Sequence, residues 1–88
     1  MPAMHLRISG HVQGVYFRDG ALKEALKLGL TGWVCNTNDG AVEAHIEGSP
    51  EAINAMIAWC QTGPPAARVE GVDVRDASEE GHAIFEIR

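Results

Sequence analysis

Basic, aromatic and sulfur-bearing residues are scarce in this chain of 88 residues, and each shortage excludes something. Seven bases against twelve acids leave a formal charge of −5, with no basic stripe of the kind a nucleic-acid surface needs. The same balance repels anionic membranes. An anionic substrate would need a positive site built locally against the field of the whole molecule. Two tryptophans, one tyrosine and two phenylalanines in an apolar share of 45 % predict a thin core without room for a large buried cofactor. The two cysteines, Cys35 and Cys60, are too few and too far apart for a disulfide framework or a zinc knuckle. No apolar run approaches the roughly 18 residues of a spanning helix. The opening Met1-Pro2-Ala3-Met4-His5 lacks the basic-then-apolar pattern of a secretory signal. These absences predict one soluble, cytoplasmic domain with reduced thiols, with no nucleic-acid or membrane partner and monomeric by default.

What is present reads as alternating short elements without repeats or linkers. Met4 to Ser9 alternates with period two, as a half-buried strand does. After a glycine-bearing segment, Leu22, Ala25, Leu26 and Leu30 fall at helical spacing, with Gly29 as a left-handed stop. Thr31 to Asn36 is strand-like, and Asn38-Asp39-Gly40 signals a hairpin turn. Val42, Ala44 and Ile46 alternate with Glu43, His45 and Glu47 on the return. Ser49-Pro50-Glu51 opens a second helix with a capping hydroxyl, a proline and an acid. Its apolar stripe is Ile53, Met56, Ile57 and Cys60, and Gly63-Pro64-Pro65 ends it.

Arg68 to Arg75 is extended, with Val72 and Val74 predicted inward. Val69 is in the opposite parity, which suggests a bulge near Gly71. Ala83, Phe85 and Ile87 make a short last strand. The order β-α-β-β-α-β plus a C-terminal strand predicts an α+β fold of the ferredoxin-like, split-βαβ type, two helices on one face of an antiparallel sheet. A start at methionine and an end just past the last apolar strand position favour a free-standing domain over residues 1–88 rather than a piece cut from a larger protein.

The informative stretch is Gly10-His11-Val12-Gln13-Gly14-Val15-Tyr16-Phe17-Arg18. It joins a strand to a helix start, where free backbone N–H groups and the helix dipole favour an anion. Gly14 lets the backbone turn tightly, and successive amides from Gln13 to Arg18 could form a concave nest. Arg18 then occupies the first helical turn, where a cation is electrostatically misplaced, and no side-chain cap precedes it. The competing explanation is an ion pair with Asp19 or another acid. Asn36 ends a strand just before a turn, so its amide serves either turn chemistry or the holding of a water. His5, His11, His45 and His82 are scattered, with no pair at ligand spacing on a helix, so no metal site is expected. His11 either tunes the loop or is solvated, and Cys60, Trp33 and Trp59 read as packing residues.

The stretch from Gly10 to Arg18 resembles the G-x-V-Q-G-V-x-F-R motif of the acylphosphatase family. Gly32-Trp33-Val34-Cys35-Asn36 through Asp39-Gly40-Ala41-Val42-Glu43 resembles that family's G-W-V-x-N-x-x-D-G-x-V-E motif, and Gly63 to Val69 a third familiar segment. The resemblance covers essentially the whole chain. It implies hydrolysis of small acyl phosphates to a carboxylate and inorganic phosphate, without cofactor or metal. By the same resemblance, Arg18 and Asn36 are catalytic: Arg18 binds the phosphate and Asn36 orients the attacking water. Gln13, Gly14, Val15, Tyr16, Phe17 and Arg18 form the phosphate-binding loop. One departure is Cys35, where many members carry a basic residue. It leaves open the potential beside Asn36 and a thiol influence on the site. A non-catalytic anion-binding module on the same fold is the alternative, but it has no use for Asn36 beside Arg18.

Overall fold

The computed structural model describes residues 2–88. Its elements are β1 (Ala3–His11), α1 (Phe17–Leu28), β2 (Thr31–Asn36), β3 (Val42–Glu47), α2 (Pro50–Cys60), β4 (Arg68–Asp76) and β5 (Phe85–Ile87). They build one five-stranded sheet in the order β4-β1-β3-β2-β5. The first four strands pair antiparallel as expected. The last joins β2 in parallel, so the sheet is mixed rather than wholly antiparallel.

Strand alternation sorts the side chains onto two faces. Leu6, Ile8, Val34, Val42, Ala44 and Ile46 are buried together with Phe17, Ala21 and Ala25 of α1 and Ile53, Met56 and Cys60 of α2. His5, Arg7, Trp33, Cys35 and Glu43 belong to the other face, which carries no helix, and are half-buried. The end of α1 and the start of α2 are as the sequence predicts, whereas α2 stops at Cys60, ahead of the predicted Gly63-Pro64-Pro65. Gly29 closes α1 at φ 71°, and Ser49 Oγ accepts the Ala52 amide of α2 at 3.2 Å.

Two apolar positions depart from expectation. Leu26 is 62 % exposed, because α1 buries the Phe17–Ala21–Ala25 line and turns Leu26 away from it. Val74 shares the parity of half-buried Val72 but is exposed, on edge strand β4. The bulge near Gly71 is present. Ser9 pairs with Gly71 and Gly10 with Val69, leaving Glu70 as the extra residue, so Val69 and Val72 both pack against the core.

Because β4 and β5 lie at opposite edges, residues 77–84 must cross the sheet. The Ala77 amide donates to Ala3 O of β1 at 3.2 Å, and Ile84 O accepts the Gly32 amide of β2 at 2.9 Å. Between them the Glu80 amide donates to the Glu47 carboxylate of β3 at 2.6 Å. The crossing therefore runs over the helix-free face.

Candidate active site

The β1–α1 loop and the end of β2 meet at a cleft of about 300 Å³ lined by Val12, Gly14, Tyr16, Phe17, Arg18, Asp19 and Asn36. Its floor is the N-terminus of α1. Tyr16 stands at the N-cap with φ 64° and ψ 25° and makes no capping bond through its side chain. It is the one non-glycine residue at positive φ among those described, and such a conformation costs of order 1–3 kcal/mol unless its surroundings impose it. The constraint comes from both sides of Tyr16. Phe17 is 2 % exposed and rests on Trp59 with ring centroids 5.2 Å apart. Val12 and Val15 are also buried in the core. With its flanks pinned, the loop turns outward through Gly14 at φ 74° and Tyr16. The first amides of α1 have no intrahelical acceptor, and the helix dipole adds partial positive charge where they emerge.

Arg18 is half-buried on this cleft. Its side chain has no ion-pair partner among the described residues, Asp19 included. The explanation of Arg18 as half of a structural ion pair is therefore excluded. Asp19, which sequence reasoning considered only as that partner, itself lines the cleft. Acids in the first turn of a helix suit its dipole, so nothing in the local pattern marked it as a site residue.

Asn36 arrives at the same cleft because it shares the parity of Val34, on the helix side of the sheet. Turn chemistry does not occupy it. In the β2–β3 connection the Thr37 amide donates to Ala41 O at 2.9 Å. The Thr37 hydroxyl accepts the Ala41 amide at 3.0 Å and donates to the Asp39 carboxylate. Arg7 pairs with that carboxylate from the neighbouring strands. The Thr37 hydroxyl and then Arg7 hold Asp39 below the usual carboxylate range. Asn36 Oδ1 is instead buried without a hydrogen-bond partner, the one such side-chain atom among the described residues. An acceptor left in that state costs about 1–3 kcal/mol.

The other predicted loop residues divide. Gly14, Tyr16 and Phe17 line the cleft with Arg18, whereas Gln13, Val15 and His11 do not. His11 is exposed at the end of β1. The Gln13 side chain turns to the hairpin, donating from Nε2 to Thr37 O at 2.7 Å and Ala41 O at 2.8 Å. Cys35 pairs with Glu43 on the helix-free face, so its thiol lies across the sheet from the side that carries Asn36. Cys60 is a core residue, as expected, and burial pushes its thiol up to about 12.

A helix start without a cap and an unpaired arginine, on a split-βαβ sandwich, define an anion-handling domain of the ferredoxin-like class. The Acylphosphatase family model matches residues 4–87. An acylphosphatase of Methylococcus capsulatus is 49 % identical over 81 residues, covering 92 % of this chain and 88 % of that protein. The crystal structure of acylphosphatase from Bacillus subtilis superposes with a TM-score of 0.97 at 37 % identity, covering 100 % of this chain and 99 % of the other. The crystal structure of T. kodakarensis HypF contains a similar unit, with a TM-score of 0.88 at 31 % identity, and this chain spans only 12 % of it. The chain belongs to the acylphosphatase family and is a hydrolase of acyl phosphates.

Proposed function

We propose that hydrolysis takes place in the cleft between Arg18 and Asn36, on small acyl phosphates, by in-line attack of water. The observation that carries this reading is the pairing of two unspent groups on one cleft: a cation without a partner, Arg18, and a buried amide oxygen without a donor, Asn36 Oδ1.

Arg18 offers a planar fork of permanent charge that matches two phosphoryl oxygens at once. The amides at the start of α1 add fixed dipoles toward the same oxygens without reorganisation. Asn36 accepts a hydrogen bond from the attacking water through Oδ1 and so sets its direction. The departing group is a carboxylate, whose conjugate acid has a pKa near ~4, so it leaves without a strong general acid. Phosphoryl transfer of this kind needs mainly positioning and charge stabilisation. No side chain becomes covalently attached, and no step uses a metal or cofactor. Gln13 and Val15 serve through the shape of the loop, with Gly14 and Tyr16 forming its exposed wall and buried Phe17 its base. The protein acts as a single-domain cytoplasmic monomer, in keeping with its acidic balance. A cleft of about 300 Å³ is at the small end for ligand sites, which suits a compact acyl group.

The test is phosphate release from benzoyl phosphate in excess chelator, by the wild type and by folded Asn36→Ala and Arg18→Ala variants. Turnover should collapse in Asn36→Ala while phosphate still binds. Arg18→Ala should lose both turnover and phosphate binding, with the rate down by about 10²–10³. Full turnover by a folded Asn36→Ala would remove the water-positioning role.

A further inference from the structure

On the helix-free face, across the sheet from the cleft, two buried residues of β3 meet two from the 77–84 crossing. His45 and Glu47 are each 3 % exposed. His45 Nε2 lies 2.6 Å from Glu47 Oε2 and 3.7 Å from Glu80 Oε1. His82 Nε2 lies 2.6 Å from the same Glu80 Oε1. One donor atom from each of the four residues falls within 4.8 Å of every other. We propose that His45, Glu47, Glu80 and His82 form a binding site for a divalent transition cation of the zinc class, distinct from the catalytic cleft.

Two isolated histidine–glutamate pairs would satisfy themselves without turning toward each other. Here both rings turn Nε2 toward one carboxylate oxygen, Glu80 Oε1, at 3.7 and 2.6 Å, so two nitrogens and two oxygens gather in one cluster. Tetrahedral zinc with bonds of about 2.0–2.2 Å holds its donors about 3.3–3.6 Å apart. Small side-chain movements bring all four atoms to that spacing. Two imidazoles with two carboxylates give a charge of −2 against the cation's +2, in a protein whose overall field already attracts cations.

The supporting shell is present as well. Backbone amides of Glu80 and Gly81 hold the two Glu47 oxygens at 2.6 and 3.3 Å. The Trp33 ring stacks on His45, with centroids 6.1 Å apart and planes 18° from parallel. Trp33 Nε1 also points at Glu80 Oε1 from 3.5 Å. Outer contacts of this kind fix ligand orientation in metal sites. Glu80, 51 % exposed at its side chain, opens the site to solvent and gives a cation its entry. Two ligands stand on β3 and two on the crossing, so the bound cation would clamp the crossing to the sheet.

The experiment uses the untagged full chain, stripped with chelator, titrated calorimetrically with Zn²⁺ and spectroscopically with Co²⁺. One equivalent of Zn²⁺ should bind, with a rise in Tm, and Co²⁺ should develop the visible absorption of a four-coordinate nitrogen–oxygen set. His82→Ala and Glu80→Gln change partly exposed ligands and spare the buried pair. Each should weaken binding by more than about 100-fold while leaving turnover of benzoyl phosphate unchanged. Absence of saturable Zn²⁺ binding by the wild type would overturn the site. So would one-equivalent binding that survives in both folded variants, or Co²⁺ bound only as the six-coordinate aqua-type species.

Discussion

Gln13 and Thr37 join the two halves of the cleft that Arg18 and Asn36 line. The Gln13 side-chain amide leaves the loop that carries Arg18 and donates at 2.7 Å to the carbonyl of Thr37, the residue that follows Asn36. A second bond from the same nitrogen reaches Ala41 O at 2.8 Å. Through one side chain the anion loop and the β2–β3 hairpin are held in register, although 24 residues separate the partners along the chain.

If hydrolysis proceeds in that cleft, the bridge gives Gln13 the part of a positioning residue. Gln13→Ala removes one donor from each of two part-buried carbonyls that keep another, the Gly40 amide on Thr37 O and the Thr37 amide on Ala41 O. It should destabilise the fold by about 0.5–1.5 kcal/mol per bond lost. Displacing Asn36 relative to Arg18 should lower kcat by about 10- to 100-fold, with KM and phosphate affinity nearly unchanged. Steady-state kinetics on benzoyl phosphate at a temperature where the variant is folded separates the two parameters. A loss of stability with kcat intact would leave Gln13 as a purely structural brace.

Gly63, in the third motif, supports the site from behind. It sits at φ 65°, and a Cβ there would lie 2.6 Å from Phe17 Cε2, beside the first turn of α1. Gly63→Ala combines a backbone penalty with overpacking and should cost about 1–3 kcal/mol. Because Phe17 directly precedes Arg18, turnover should fall as well. Thermal unfolding together with kinetics below the new Tm checks both effects.

The two thiols should behave oppositely toward an alkylating reagent. Burial holds Cys60 at about 12, so it stays protonated and inaccessible at pH 8. Half-buried Cys35 is the residue expected to label in the native protein, with Cys60 following only on denaturation. Since Cys35 faces away from the cleft, labelling should leave turnover intact. Mass spectrometry of the native and denatured reactions, with an assay on the labelled protein, tests the placement of both.

Asp39 supplies a pH dependence. Its carboxyl is held below the usual range, first by the Thr37 hydroxyl and then by Arg7. A carboxyl depressed in the folded state contributes stability above its unfolded value of about 3.9. That contribution disappears as pH falls through the lower folded value. A carbon-detected NMR titration should place the Asp39 midpoint below about 3.9 in the wild type. The midpoint should move up in Thr37→Val and in Arg7→Ala, since each removes a group that holds the carboxylate down.

Much of this protein was legible from local pattern. Period-two alternation marked β1 and β3, Ser49-Pro50 marked the start of α2, and Gly29 the end of α1, because each signal lies within a few residues of the structure it determines. Arg18 stood out for the same reason: a cation at an uncapped helix start breaks a local rule. Which face Asn36 takes was not legible, because Trp33 and Val34 occupy opposite parities and only packing put Val34, with Asn36, on the helix side. Other features depend on which strands become neighbours. That β5 lies parallel to β2 forces residues 77–84 across the sheet, and only this crossing brings His82 and Glu80 to His45 and Glu47. Scattered histidines carried no trace of it, since helix spacing says nothing about ligands delivered by separate elements. Likewise, the exposure of Leu26 follows from which line of α1 meets the sheet, and the partner of Gln13 from how the loop meets the hairpin. Local sequence determined the elements and the unpaired charge, because steric and hydrogen-bonding preferences act over a few residues. Tertiary packing decided which polar groups meet, because that depends on strand order.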